Sequence, residues 1–335
     1  MSILVIFESP MILSMAIAKF GNSNFNAIFL KHEEQNHSID NGRQVEDQIQ
    51  ICLAIANNFK LELKIMNVEQ VLIEISNKEF DRILIELKFL HNVKILKNKI
   101  SNDTRAKIIG ITYAMDYLLA GGSYFKSVIN VYKILNIFLW RRLFKDLKVR
   151  SFIFPHMSYP PKELLNKGVE VVSIKDWELF LNVIKRGSFF SQLGVPDFIS
   201  HSDSIYLNLP FMDRSWIEQE LETYLSLIRD DVKYRGKPVI IKPHPGIVFD
   251  KEFAQEYISK KCFEMGLDVV FMFSSVNRAL PIEILLGLGA NNLFVGAATG
   301  GVAFMRKENV KFLPSGDRTY DKNTKLGYYE FLRRR

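Results

Sequence analysis

K-P-V-I-I-K-P-H-P-G, residues Lys237 to Gly246, runs a short apolar strand directly into a rigid basic turn. Val239, Ile240 and Ile241 are consecutive β-branched residues with no alternation, the pattern of a parallel strand covered on both faces. Pro243 and Pro245 fix φ on either side of His244 and remove two backbone donors. One imidazole and the Lys242 ammonium are thereby expected at the carboxyl end of a strand, where open α/β sheets bind ligands. An anion suits that place; a plain strand end with its histidine packed on prolines is the other reading.

Outward from this stretch, the second half alternates strand and helix. Strands are expected at Ser204–Leu209, Pro238–Lys242, Asp268–Met272, Leu293–Gly296 and Val310–Leu313, and helices at Ser215–Asp230, Lys251–Met265 and Pro281–Leu288. The first half reads the same way. Strands at Ile3–Phe7, Asn26–Leu30, Leu61–Met66, Ile108–Tyr113, Ser151–Phe154 and Val169–Ile174 are interleaved with helices at Pro10–Phe20, Gln44–Phe59 and Trp177–Lys185. Val68–Leu90 reads as one long amphipathic helix, and a short strand at Tyr117–Ala120 is a further option. The last turn, Tyr328–Arg335, reads as helical and ends in three arginines. Such βαβα order implies parallel sheets with helices on their faces. Gly187–Asp203, rich in Gly, Ser and Pro, reads as a connection.

A chain of 335 residues exceeds what one core usually serves, so two domains of about 150 residues each are expected. The boundary falls at 195/196, giving Rossmann-like domains 1–195 and 196–335 with a cleft between them. A composition 48% hydrophobic and 24% charged excludes disordered and fibrous classes. The net charge of +7 points to an acidic partner, whether nucleotide, anionic glycan, nucleic acid or membrane. Scattered rather than modular bases argue against nucleic acid. Cys52 and Cys262 match no metal spacing and read as buried thiols in a reducing cytoplasm. Met1–Phe7 is too short and too soon followed by Glu8 to be a signal segment, and Val128–Leu139 is interrupted by Asn130, Lys133 and Asn136, so no span is expected. Lys126–Lys148, aromatic and basic, either lies against an anionic membrane or turns an apolar stripe to the core.

Three further stretches follow strands. Ser9 and Pro10 open a helix, with Ser9 as cap or, with its free amides, as an anion contact. Glu283, in A-L-P-I-E-I-L-L, stands in the first turn of a helix, where it either caps or accepts hydrogen bonds from ribose hydroxyls. G-A-A-T-G-G at Gly296–Gly301 lets backbone amides and the Thr299 hydroxyl approach a phosphate.

E-S-P-M-I-L at Glu8, Y-L-N-L-P at Tyr206, K-P-H-P at Lys242, L-P-I-E-I-L-L at Leu280 and A-T-G-G at Ala298, in this order, resemble the bacterial lipooligosaccharide sialyltransferases and polysialyltransferases. The resemblance covers most of the chain and implies a GT-B fold, with an acceptor-side N-terminal domain and a nucleotide-sugar-binding C-terminal domain. It implies metal-independent, inverting transfer of a nonulosonic acid from its CMP donor to a hydroxyl of a lipooligosaccharide or capsule glycan, with no cofactor. His244 would contact or protonate the leaving phosphate, Glu283 would hold the ribose, and Thr299 with Gly300 would bind phosphate; Lys242, Pro245 and Gly246 complete the donor set. The family's acidic-acidic-Gly motif falls on Y-L-L-A-G-G-S-Y, where Ala120 and Gly121 cannot take a proton. Asp116 is then the expected base, with Glu8 or His156 as alternatives and Glu8, Ser9 and His156 as cleft residues. A CDP-polyol phosphotransferase would use the same histidine turn, with His156 as its second site, and a catalytically weak nucleotide- or glycan-binding protein is the reading from a different class. The expected location is cytoplasmic, peripheral at the inner membrane face.

Overall fold

The computed structural model describes residues 1–22, 25–31, 39–86, 101, 103–104, 107–112, 151–155, 168–195, 205–208, 214–234, 236–243, 249–286, 293–296 and 310–312. They form an α/β protein that divides into two compact units, Met1–Gln192 and Leu193–Arg335.

The first unit runs β1 (Ile3–Phe7), α1 (Pro10–Phe20), β2 (Phe25–Leu30), α2 (Ile39–Phe59), β3 (Leu63–Met66), α3 (Val68–Asn77) and β4 (Arg82–Glu86). It continues through β5 (Ile108–Ile111), β6 (Ser151–Phe154), β7 (Gly168–Val171), α4 (Ile174–Arg186) and α5 (Phe189–Gln192). The seven strands form one parallel sheet in the order β3-β2-β1-β4-β5-β6-β7, compatible with a Rossmann-like fold. After β3 the chain returns to the far side of β1, so β1 and β4 lie side by side at the point where the order reverses. Every residue of β1 is buried, as its unbroken apolar run requires of a strand covered on both faces.

Helix α1 begins as its sequence dictates. The Ser9 hydroxyl accepts the N–H of Met11, and Pro10 occupies the first turn. It ends at Gly21, whose φ of 73° needs a residue without a Cβ. On one face of the sheet Leu4, Ile6, Ile83 and Ile85 meet Val71, Leu72 and Ile75 of α3. On the other, α1, α2 and α4 pack together, with Phe180 stacked between Phe59 at 5.2 Å and Trp177 at 5.0 Å. Each such ring contributes about 1.5–3 kcal/mol by leaving water.

The long helix expected over Val68–Leu90 is two elements. Helix α3 starts on a capping box, Asn67 with Gln70, and stops at Asn77. Lys78 is extended, its N–H closing the last turn on the Glu74 carbonyl. The chain then enters β4, whose Ile83 to Glu86 are buried. A short apolar run does not by itself distinguish helix from strand. Pairing with β1 on one side and β5 on the other decides for strand.

The second unit runs β8 (Ile205–Asn208), α6 (Arg214–Arg229), β9 (Val239–Ile241), α7 (Lys251–Glu264), β10 (Val269–Phe271), α8 (Ser275–Ala279), α9 (Ile282–Leu286), β11 (Leu293–Gly296) and β12 (Val310–Phe312). Its five parallel strands are ordered β10-β9-β8-β11-β12, so the order reverses between β8 and β11. Val239 and Ile241 share a core with Ile217, Leu221, Leu225, Ala254, Ile258 and Cys262. The last three are four residues apart and line one face of α7. Helix α8, absent from the sequence reading, is capped by the Ser274 hydroxyl on the Asn277 N–H.

Both cysteines are buried, as expected. Among the described residues no helix is long and apolar enough to cross a membrane. The basic stretch 126–148, the optional strand 117–120 and the last turn 328–335 lie outside the described residues.

Candidate functional site

In the second unit the chain leaves β9 at Lys242, and the Lys242 side chain turns inward. It is 6% exposed, and its ammonium donates to the Arg278 carbonyl at 2.8 Å, across 36 residues of sequence. Arg278 lies in the last turn of α8, so this bond ties the end of β9 to the segment after β10. Desolvation pushes the Lys242 ammonium down to about 8, with the Glu283 carboxylate opposing that shift and the Arg278 charge adding to it.

Glu283 stands in the first turn of α9, as expected, and is 8% exposed. Burial raises its carboxyl above the ordinary range, opposed by its own backbone N–H and by Lys242. The lysine is shifted down and the carboxyl up, so both shifts favour the neutral form. For each group the cost of leaving water exceeds what the other charge returns. A ligand that brings a phosphate to the ammonium and hydroxyl donors to the carboxylate would offset that cost. Behind the pair, the Tyr206 hydroxyl of β8 donates to the Leu285 carbonyl at 3.4 Å, tying α9 to the centre of the sheet. Burial raises the pKa of that phenol, which keeps it a donor.

Arg278 is the residue that sequence reasoning missed here. Its guanidinium lies over the Phe249 ring, 5.3 Å from the centroid. An arginine in the short stretch N-R-A-L-P carries no motif; only the return of α8 over the end of β9 marks it out.

In the first unit, Glu8 and Ser9 follow β1 at the reversal of strand order. Glu86, the last residue of β4 and 3% exposed, accepts the Glu8 N–H at 2.7 Å and the Ser9 N–H at 3.1 Å through one carboxylate oxygen. The amides that open α1 are thus taken by an internal carboxylate, and Ser9 does the work of a cap. A phosphate at this turn would meet the Glu86 charge, whereas a neutral, hydroxyl-bearing group would not. Glu86 was hidden in the sequence inside the expected long helix.

Of the predicted residues, the structure brings Lys242 and Glu283 together in the second unit, and in the first unit Glu8 and Ser9 follow β1. His244, Pro245, Gly246, Thr299, Gly300, Asp116 and His156 lie outside the described residues. The strand that leads to Thr299 ends at Gly296, level with Asn208 of β8 at the second reversal point. Among the described residues no three His, Cys, Asp or Glu side chains are grouped as metal ligands. Compared with protein-family models, curated proteins and solved structures, the chain matches none.

Proposed function

We propose that this chain is a two-domain GT-B glycosyltransferase of the sialyltransferase type, which moves a nonulosonic acid from its CMP donor to a hydroxyl of a bacterial surface glycan. The observation that carries the reading is the meeting of Lys242 and Glu283. They come from the K-P-H-P and L-P-I-E motifs and are buried within electrostatic reach of one another at the carboxyl end of a parallel sheet. Cations beside a carboxylate suit a nucleoside monophosphate, with the phosphate on the basic side and the ribose hydroxyls on Glu283.

In the transfer, the bond between the sugar's anomeric carbon and the phosphate oxygen breaks, its electron pair leaving with CMP. The acceptor oxygen forms the new bond at the opposite face, and its proton passes to a carboxylate, for which Asp116 is the candidate. Positive charge on the departing phosphate lowers the barrier, with His244 the candidate for direct contact. The reaction requires no metal in this reading. The first unit takes the acceptor, in keeping with an α1 start whose amides are already engaged by Glu86. The protein works in the cytoplasm, at the inner membrane face, with the basic stretch 126–148 toward anionic lipid.

Calorimetric binding of CMP, CDP and UDP to the wild type and to Glu283→Ala and His244→Ala tests it. Preference for CMP, weakened by both substitutions, is the expected result. Preference for CDP moves the reading to a polyol-phosphate transferase, and a folded protein that binds none of the three removes the donor site.

A further inference from the structure

The resemblance assigns the donor phosphate to the histidine turn and the Gly-rich loop; Arg278 belongs to neither. Its position is nonetheless fixed at both ends. The main-chain carbonyl is held by Lys242 at 2.8 Å, and the guanidinium rests on Phe249, which is itself held edge-on by Phe273 at 5.1 Å. The residue is half-buried, with the Nε of its guanidinium withdrawn from solvent. The buried ammonium of Lys242 spends a donor on the protein's own main chain. It acts on the site from a buried position, while Arg278, the second cation beside it, is only half-buried.

The charges around Lys242 agree with that division. Arg278 repels its ammonium while Glu283 attracts it, so two cations stand near one carboxylate at the ligand-binding end of the sheet. An anion between solvent and this cluster relieves the repulsion. A guanidinium stacked on an aromatic ring is the side chain best suited to grip a phosphate with two parallel hydrogen bonds.

We propose that the Arg278 guanidinium directly contacts a phosphate-type anion at the carboxyl end of β9 and β10. For the proposed function this anion is the donor's phosphodiester, later the phosphate of departing CMP. The assignment rests on reading this sheet end as the donor site.

The experiment compares CMP, cytidine and inorganic phosphate by calorimetry on the full-length wild type, Arg278→Ala and Arg278→Lys, with circular dichroism and urea midpoints checking the fold. In the wild type CMP binds more tightly than cytidine. Arg278→Ala reduces that preference about tenfold or more while cytidine affinity holds, and Arg278→Lys, which keeps the charge without the fork, falls between. Should Arg278→Ala not fold, the lysine variant carries the test, and a folded lysine variant with the full wild-type preference overturns the assignment. Preference for CMP that is indifferent to both substitutions also overturns it, while leaving the CMP reading intact. Arg278-dependent binding of inorganic phosphate without preference for cytidine nucleotides supports the contact and overturns the CMP reading. Binding of none of the three ligands overturns both.

Discussion

Glu86 and Glu8 join the neighbouring strands β4 and β1 of the first sheet: the carboxylate at the end of β4 accepts the backbone N–H that follows β1 at 2.7 Å. These residues lie 78 apart in sequence, and the bond closes the place where the strand order reverses. The same oxygen also holds the Ser9 N–H, so the turn into α1 is set by a side chain from a different strand.

Loss of that carboxylate should therefore be felt by the fold. Glu86→Ala leaves two inward amides without their acceptor and is expected to cost about 2–4 kcal/mol, by the usual worth of hydrogen bonds to charged groups. Glu86→Gln retains one acceptor oxygen and should cost less. Urea unfolding of both variants measures the difference. Midpoints equal to the wild type in both would show that the tie contributes nothing.

In the second unit the pH dependence follows from Lys242. Its folded pKa, about 8, lies below the ordinary 10.5. The folded chain thus binds fewer protons than the unfolded one between those values, and this group's contribution to stability rises with pH across the window. Ligand binding has the opposite sign. A phosphate nearby favours the ammonium, so CMP affinity is expected to fall as pH rises past about 8, with proton uptake on binding near that pH. Calorimetry in two buffers of different ionisation enthalpy reads the uptake. Lys242→Gln, still able to donate to the Arg278 carbonyl, should bind CMP without this dependence. An affinity for the wild type that stays level from about pH 7 to 9.5 would sink the prediction.

The two thiols should be silent in the native protein. Cys52 and Cys262 are fully buried, and burial pushes both upward, Cys262 to about 12 and Cys52 further helped by the charge of Glu86. A disulfide reagent is expected to titrate neither thiol natively and both after unfolding. Glu86→Gln should not release Cys52, because burial outweighs the Glu86 charge. Fast native reaction at Cys52 in that variant would reverse the ranking.

Local pattern carried much of the architecture. The unbroken run V-I-I marked β9 as a strand covered on both faces, I-L-V-I-F marked β1 as a strand, and Ser9-Pro10 marked the start of α1, because strand burial and helix caps are written in neighbouring residues. Glu283 was legible in a first helical turn for the same reason. β4 was not. Its apolar residues continue the spacing of α3 closely enough to read as one helix, and only pairing with β1 and β5 separates them.

The sites divide along the same line. From the sequence alone came the α/β class, the parallel strands, the Ser9 cap, and the basic and acidic residues that follow β9 and open α9. Which groups meet was left to tertiary structure, since hydrogen bonds across 36 and 78 residues leave no trace in local spacing. That is why Glu86, which occupies the α1 amides, and Arg278, which Lys242 holds in place, emerge only once the sheets are assembled. It is also why the bond from the Lys242 ammonium to main chain could not be read locally: the Arg278 carbonyl that accepts it belongs to a segment that arrives after β10.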